Sequence, residues 1–237
     1  SFVWAGGLAL GSVLALTPLA TAQEEGPNTG KISFGAGVDF TSEYWFRGIA
    51  QENQGIIAQP YANLSFPVVE GEDLGVSANL GTWNSWHFNG GSTTSGSNDF
   101  WYESDIYAGL SFSLPANFGA SVSYTNLANP AGGGQFAEEL SLGLSYDDSD
   151  LWGGDFALSP SVTLVNEIAG PGSDNPAPGQ GALGWYLGVS ASPSFTMNPE
   201  AEKPITIGVP VSAGFSLDDY YQDTMGNDDT FGFFDIG

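Results

Sequence analysis

The chain has 237 residues, with 27 Asp plus Glu against three Lys plus Arg, one His, no Cys and a formal charge of -24. Without cysteine there is no disulfide framework, no thiol nucleophile and no Cys-ligated zinc or iron-sulfur site. So acidic a chain is repelled by phosphate backbones, which excludes nucleic acid as a partner. Only 13% of residues are charged and 41% are hydrophobic, which disfavours both a disordered chain and a charge-laced helical one and leaves an all-β protein as the expectation.

The run FVWAGGLALGSVLALTPLA over residues 2–20 is apolar and uncharged, and Ala20-Thr21-Ala22 followed by acidic residues forms a small-x-small cleavage site. Residues 1–22 therefore read as a secretory signal peptide cut after Ala22. A retained membrane helix is the competing reading, against which Gly6, Gly7, Gly11 and Pro18 argue. Residues 23–31 read as a short periplasmic leader, and residues 32–237 as one β domain.

From residue 32 onward, apolar residues alternate with small or polar ones at a period of two. The pattern predicts nine complete strands at about 32–47, 56–66, 74–86, 101–114, 118–128, 136–146, 155–168, 183–197 and 205–217, with a partial tenth from Thr230. Alternation is clearest in the fourth, where Ile106, Ala108, Leu110, Phe112 and Leu114 oppose Asp105, Tyr107, Gly109, Ser111 and Ser113. Soluble β-sandwiches also alternate, so period alone does not choose between a core-facing and a lipid-facing apolar side.

Three features favour lipid. The polar face is built from Gly, Ser, Thr, Asn and Tyr rather than Lys and Glu, which suits a hydrated interior. The joins near 87–100, 169–182 and 218–229 are long and all follow odd-numbered strands, as they do in barrels with one external and one periplasmic rim. Aromatics gather at strand ends as two interfacial girdles: Trp45, Phe46, Trp83, Trp86, Phe88, Phe100 and Trp101 at the outer rim, and Phe66, Phe112, Phe118, Tyr146, Trp152 and Phe156 at the other. The fold expected is a transmembrane antiparallel up-and-down β-barrel in the outer membrane. Such barrels have even strand counts, so 12 (or 10) strands are expected, the terminal FGFFDIG belonging to a strand that runs on.

Residues 33–51 resemble the opening strand of the TorF family of bacterial outer-membrane porins, with its Ser-x-Tyr-x-x-Arg-Gly-type signature present as Ser42, Tyr44, Phe46, Arg47, Gly48 and Gln51. Trp83-Asn84-Ser85, followed by the acidic aromatic segment Trp101 to Gly109, resembles a second stretch of that family. The resemblance implies an outer-membrane location and a channel role, and supplies no substrate and no catalytic residue.

If the apolar side meets lipid, Asp39, Glu43, Arg47, Glu103, Asp105 and Glu139 face the lumen as candidate pore-lining residues. Carboxylates in a pore favour cations, so the expected function is passive diffusion of small hydrophilic solutes with a weak cation preference. Alternatively, Arg47 pairs with Glu43 or another carboxylate as a structural bridge. The other functions the residues allow are a secreted β-sandwich that binds glycans and a non-conducting anchor or adhesin barrel.

His87, near a serine and upstream of Asp99, Glu103 and Asp105, allows a nucleophile-base-acid set to be imagined, but no supporting spacing exists and no catalytic site is assigned. The acidic clusters at 147–150, 218–219 and 223–229 offer oxygen ligands for calcium without EF-hand spacing. They read as solvated loops, and no cofactor or metal is expected. Membrane lipid and small solutes or cations are the partners expected.

Overall fold

A computed structural model describes residues 32–71, 73–88, 100–130, 134–153, 155–170, 184–198, 204–221 and 229–237. The segments read as signal peptide and leader, Lys31, Lys203, the Gly/Ser-rich residues 90–97 and nearly all of the Pro/Gly-rich residues 170–179 lie outside these residues.

In chain order the elements are β1 (Ser33–Thr41), β2 (Tyr44–Phe46), β3 (Ile49–Glu52), β4 (Ile57–Glu70), β5 (Gly75–His87), β6 (Trp101–Ser113), β7 (Phe118–Asn129) and β8 (Gly134–Tyr146). A 3-10 turn (Ser149–Trp152) follows, then β9 (Phe156–Ala157), β10 (Ser161–Ala169), β11 (Trp185–Ala191), β12 (Ser194–Met197), β13 (Ile205–Gly208), β14 (Val211–Asp218) and β15 (Phe231–Ile236). Ten strands form one antiparallel sheet in the order β1-β4-β5-β6-β7-β8-β10-β11-β14-β15, each pairing with the next along the chain. The ten expected strands are all present in this up-and-down order. β1 and β15 are the edges of the sheet, and no pairing joins them among the described residues.

Register turns the alternation of single strands into rows that run across the sheet. Phe66, Ala78, Leu110, Val122, Leu142, Leu164, Leu187 and Phe215 are consecutive cross-strand partners from β4 to β14. One residue along on each strand, Ser77, Ser111, Ser121, Gly143, Thr163, Gly188 and Gly214 form the matching row on the opposite face.

The burial of the two faces is inverted relative to a water-soluble protein. Ile106, Leu140, Leu142, Leu144 and Val189 are exposed, whereas Arg47, Glu52, Glu103, Asp105, Glu139 and Glu167 are buried. The buried apolar residues are led by tyrosines whose hydroxyls carry hydrogen bonds, such as Tyr44 to Glu103 and Tyr107 to Asn63. Space for these rings comes from glycine: Gly81 pairs directly with Tyr107, and a Cβ there would lie 2.4 Å from its ring.

Three predicted strands are each two pieces. The segments read as 155–168, 183–197 and 205–217 break at Pro160, at Ser192-Pro193 and at Val209-Pro210, because proline has no N–H to give the ladder and favours edges and bends. The breaks lie on adjacent strands at nearly one level, since Ser161 pairs with Ser190 and Ala191 with Val211. Past this line β9, β12 and β13 form a separate three-stranded sheet. Backbone bonds still cross the break, from Ser192 N to Leu158 O (2.8 Å) and from Val209 N to Pro193 O (2.9 Å).

Asp148 holds the turn that leads to this small sheet. Its Oδ1 accepts the N–H groups of Leu158 (2.9 Å) and Ser159 (2.8 Å), and its Oδ2 accepts the indole N–H of Trp152 (2.7 Å). Desolvation works against ionisation, but these hydrogen bonds outweigh it and hold the carboxyl below its usual range. A group with a depressed folded pKa stabilises above its unfolded pKa and loses that contribution as pH falls through the folded value. The turn is therefore expected to stay closed at pH 5 and to open only below about pH 4. Amide-exchange protection of Leu158 and Ser159, followed against pH, checks this; protection lost already near pH 6 would contradict it.

The girdles are partly as expected. At one rim Phe100 contacts both Trp86 (5.9 Å) and Phe88 (5.3 Å), and at the other Phe118 meets Tyr146 (4.8 Å) and Trp152 meets Phe156 (5.4 Å). Phe46 and Trp83 are not girdle residues. Phe46 is buried, and Trp83 packs on the buried Tyr44, because the chain after β1 turns inward.

Candidate functional site

The expected first strand, 32–47, ends at Thr41. Thr41 Oγ1 donates to Glu43 O (2.8 Å), and the chain then enters the two-stranded hairpin of β2 and β3, which is not part of the large sheet. Its two-residue turn is Arg47-Gly48, with φ of 48° and 80°. Positive φ at both central residues matches the twist of the flanking strands, and Gly at the second position is the usual choice. Arginine at the first costs on the order of 1 kcal/mol of backbone strain, which its side-chain contacts offset. Gly48 is also required by space, since a Cβ would lie 2.6 Å from Phe233 Cβ on β15.

The hairpin lies against the polar face, and its contacts bear on the curvature of the sheet. Tyr44 donates to Glu103 on β6 (2.8 Å), while Gly48 abuts Phe233 on β15. Six strand intervals separate β6 from β15, about 29 Å in a flat sheet at roughly 4.8 Å per interval. Tyr44 and Gly48 are four residues apart and reach at most about 14 Å. One short hairpin thus touches strands six intervals apart, which a sheet curled around it with its polar face concave allows.

Arg47, 1% exposed, is the centre of the site. Its two terminal nitrogens donate to the two oxygens of Glu139 on β8, at 2.6 and 2.7 Å, in a planar fork. Nη1 also donates to the Tyr220 hydroxyl. The guanidinium carbon lies 4.6 Å from the Phe46 ring centroid, 4.7 Å from that of Tyr186 and 5.4 Å from that of Tyr220. Tyr221 donates to Arg47 O (2.8 Å), so the residues just after β14 clasp the hairpin tip from the far side. Burial pushes the Tyr220 hydroxyl well above the usual phenol range, against the pull of Arg47, so it remains a neutral partner.

Around this pair the charge does not balance. Glu103, Asp105 and Glu167 are buried beside Glu139, with Arg47 the one buried Lys or Arg among the described residues. Asp105 Oδ1, Glu167 Oε2 and Arg47 Nε have no hydrogen-bond partner. No group of three or more His, Cys, Asp or Glu among the described residues is arranged to hold a metal ion.

Of the six candidate pore-lining residues, the structure brings Arg47, Glu103, Asp105 and Glu139 together. Asp39 is exposed on β1, and Glu43 is exposed with its carboxylate accepting the Trp45 indole N–H (2.9 Å). Arg47 pairs with Glu139 rather than Glu43, because the inward turn points the two residues apart.

His87 does meet the serine close to it in sequence, Ser85, but the carboxylate beside it is Glu52, which the sequence reading did not name. Ser85 Oγ lies 3.0 Å from His87 Nε2, and Glu52 Oε2 lies 3.8 Å from Nδ1, beyond hydrogen-bond length. Glu52 Oε1 is engaged by the N–H groups of Asn53 and Gln54, both at 2.9 Å. Ser85 is 0% exposed and His87 stacks on Tyr102 at 4.5 Å. The trio fastens β3 to β5, and a buried serine offers no surface to a substrate.

No family model matches the chain, so the TorF resemblance rests on its motif residues alone, and no curated protein matches it either. Among solved structures, Pseudomonas aeruginosa OccK2 (OpdF) is similar, at 14% identity and a TM-score of 0.40 over 86% of this chain and 55% of the other. The chain thus spans about half the length of that protein.

Sequence reasoning missed Glu167, Tyr186, Tyr220 and Tyr221. Glu167 sits at a bulged end of β10, where the register shifts between Glu167 and Ala169, and Tyr220-Tyr221 lie beyond a strand end. The signal available was that Tyr186 lies on the polar face of its strand, where a large ring needs a reason.

Proposed function

We propose that the chain is an outer-membrane β-barrel that passes small hydrophilic solutes, with a preference for cations, and has no enzymatic activity. The observation that carries this reading is the inversion of the sheet: a continuous apolar row of exposed and half-buried side chains on one face, and buried carboxylates and hydrogen-bonded tyrosines on the other. Hydrocarbon tolerates the first arrangement and water disfavours it. Strands of 12 or 13 residues from β5 to β8 are long enough to cross when tilted. In a bilayer the edges β1 and β15 require hydrogen-bond partners, which closure of the sheet supplies. Residues 1–22 provide the export signal in this reading.

Selectivity follows from sign. Buried carboxylates in excess over one guanidinium make the interior attractive to cations and repulsive to anions. Under a salt gradient across a planar bilayer, the parent protein is expected to reverse on the cation side, and Glu103→Gln with Asp105→Asn to move the reversal potential toward zero. A chloride preference in the parent would refute the charge argument, and a mature protein fully soluble without detergent would remove the barrel.

A second reading is favoured by one specific observation. The hairpin and Tyr220-Tyr221 fill one end of the concave face, which is the arrangement of a closed, anchoring barrel. Conductance of the parent and of a variant with a loosened hairpin separates the two.

A further inference from the structure

Most of the groups that hold the Arg47 side chain come from outside the hairpin. Glu139 comes from β8, Tyr186 from β11 and Tyr220 from the segment after β14, and Phe46 is the hairpin's only contribution to this cage. A carboxylate presenting both oxygens in one plane, with aromatic rings against the guanidinium, is the arrangement that recognises a guanidinium in general.

The hairpin's own arginine does not saturate this environment. Arg47 Nε is unpaired, the residue sits at positive φ, and Asp105 Oδ1 and Glu167 Oε2 remain without partners nearby. A free guanidinium compound would bring the same fork without the backbone strain of the turn, and the unpaired carboxyl oxygens nearby offer it further acceptors.

We propose that the inner wall carries a binding site for guanidinium-bearing solutes, formed by Glu139, Tyr186 and Tyr220, which Arg47 of the hairpin fills in cis. A solute of this class competes with Arg47 for Glu139, so that its arrival releases the hairpin tip. The proposal deepens the channel reading by naming a solute class, but binding itself does not depend on conduction. Ammonium compounds are poorer ligands, because a single tetrahedral donor does not match the two coplanar oxygens.

The test uses the full mature chain in detergent, with methylguanidinium at millimolar concentration as the probe. In Arg47→Ala the thermal midpoint is expected to rise saturably with methylguanidinium, with apparent affinity at least about fivefold tighter than for methylammonium or sodium. Adding Glu139→Gln to that variant is expected to abolish the difference. Equal responses to all three cations, or none, would overturn the proposal. Should Arg47→Ala fail to fold, recovery of folding by methylguanidinium and not by methylammonium supports the site. Failure of that recovery, together with no selective effect of methylguanidinium on the conductance of the unaltered protein, overturns it. Selective binding without any conductance would remove the channel function and leave the site standing.

Discussion

Replacing Arg47 by alanine is expected to destabilise the protein by about 3–5 kcal/mol, the usual cost of removing one partner of a buried ion pair. The loss is at the upper end because Glu139 would be left buried and unpaired among Glu103, Asp105 and Glu167. The same change removes the ring contacts of the guanidinium and frees the hairpin tip, so conductance through a planar bilayer should rise several-fold in the molecules that fold. Urea unfolding in lipid vesicles measures the first effect and single-channel recording the second. The double variant Arg47→Met with Glu139→Leu should regain most of the stability, because it replaces the pair rather than breaking it, and should keep the higher conductance. A loss below about 1 kcal/mol, the range of an exposed pair, would show that Arg47 is not the keystone of the hairpin.

The second large effect tests which side of the sheet meets hydrocarbon. Leu142 lies in the middle of β8, exposed, between Val122 and Leu164 in the apolar row. Leu142→Arg is expected to cost about 2–4 kcal/mol in a bilayer, as a charge on the lipid face near its midplane does. Ser77→Arg, on the opposite face and away from the hairpin, should stay within about 0.5 kcal/mol. Equal costs for the two would sink the assignment of the apolar row to lipid. The order is expected to hold in vesicles of different headgroup charge, since the penalty arises in the hydrocarbon.

The six motif residues Ser42, Tyr44, Phe46, Arg47, Gly48 and Gln51 show how much chemistry a sequence can carry without disclosing its geometry. In the sequence they read as the end of a strand, because alternation continues from Phe34 through Phe46. In the structure five of them lie in the hairpin, and each has a task there. Tyr44 ties β2 to Glu103, Gln51 accepts the Tyr102 hydroxyl (2.7 Å), Arg47-Gly48 makes the turn, and Phe46 stacks beneath the guanidinium. The Arg-Gly dipeptide was the local clue, since a glycine after a residue able to take positive φ is hairpin chemistry.

Period-two alternation, the uneven loop lengths and the small polar residues of the inner row are local properties, and they determined the ten strands of the large sheet, their order and the two faces, but not the β2–β3 hairpin or the small sheet. The apolar row from Phe66 to Phe215 follows from register, and register is pinned because a slip of one residue would reverse every face. Proline breaks at 160, 193 and 210 were also written in the sequence as missing N–H donors, though the alignment of the three on neighbouring strands became visible only with the pairing.

What only the tertiary structure decided is where the charges go. Arg47 and Glu139 are 92 residues apart, and Arg47 and Tyr220 are 173 apart. Their meeting depends on the curl of the whole sheet and on an inward turn of nine residues, and no local pattern encodes either. A buried carboxylate is tolerated only where a cation or a hydrogen-bond donor reaches it, so its position is set by the three-dimensional path of the chain rather than by its neighbours in sequence.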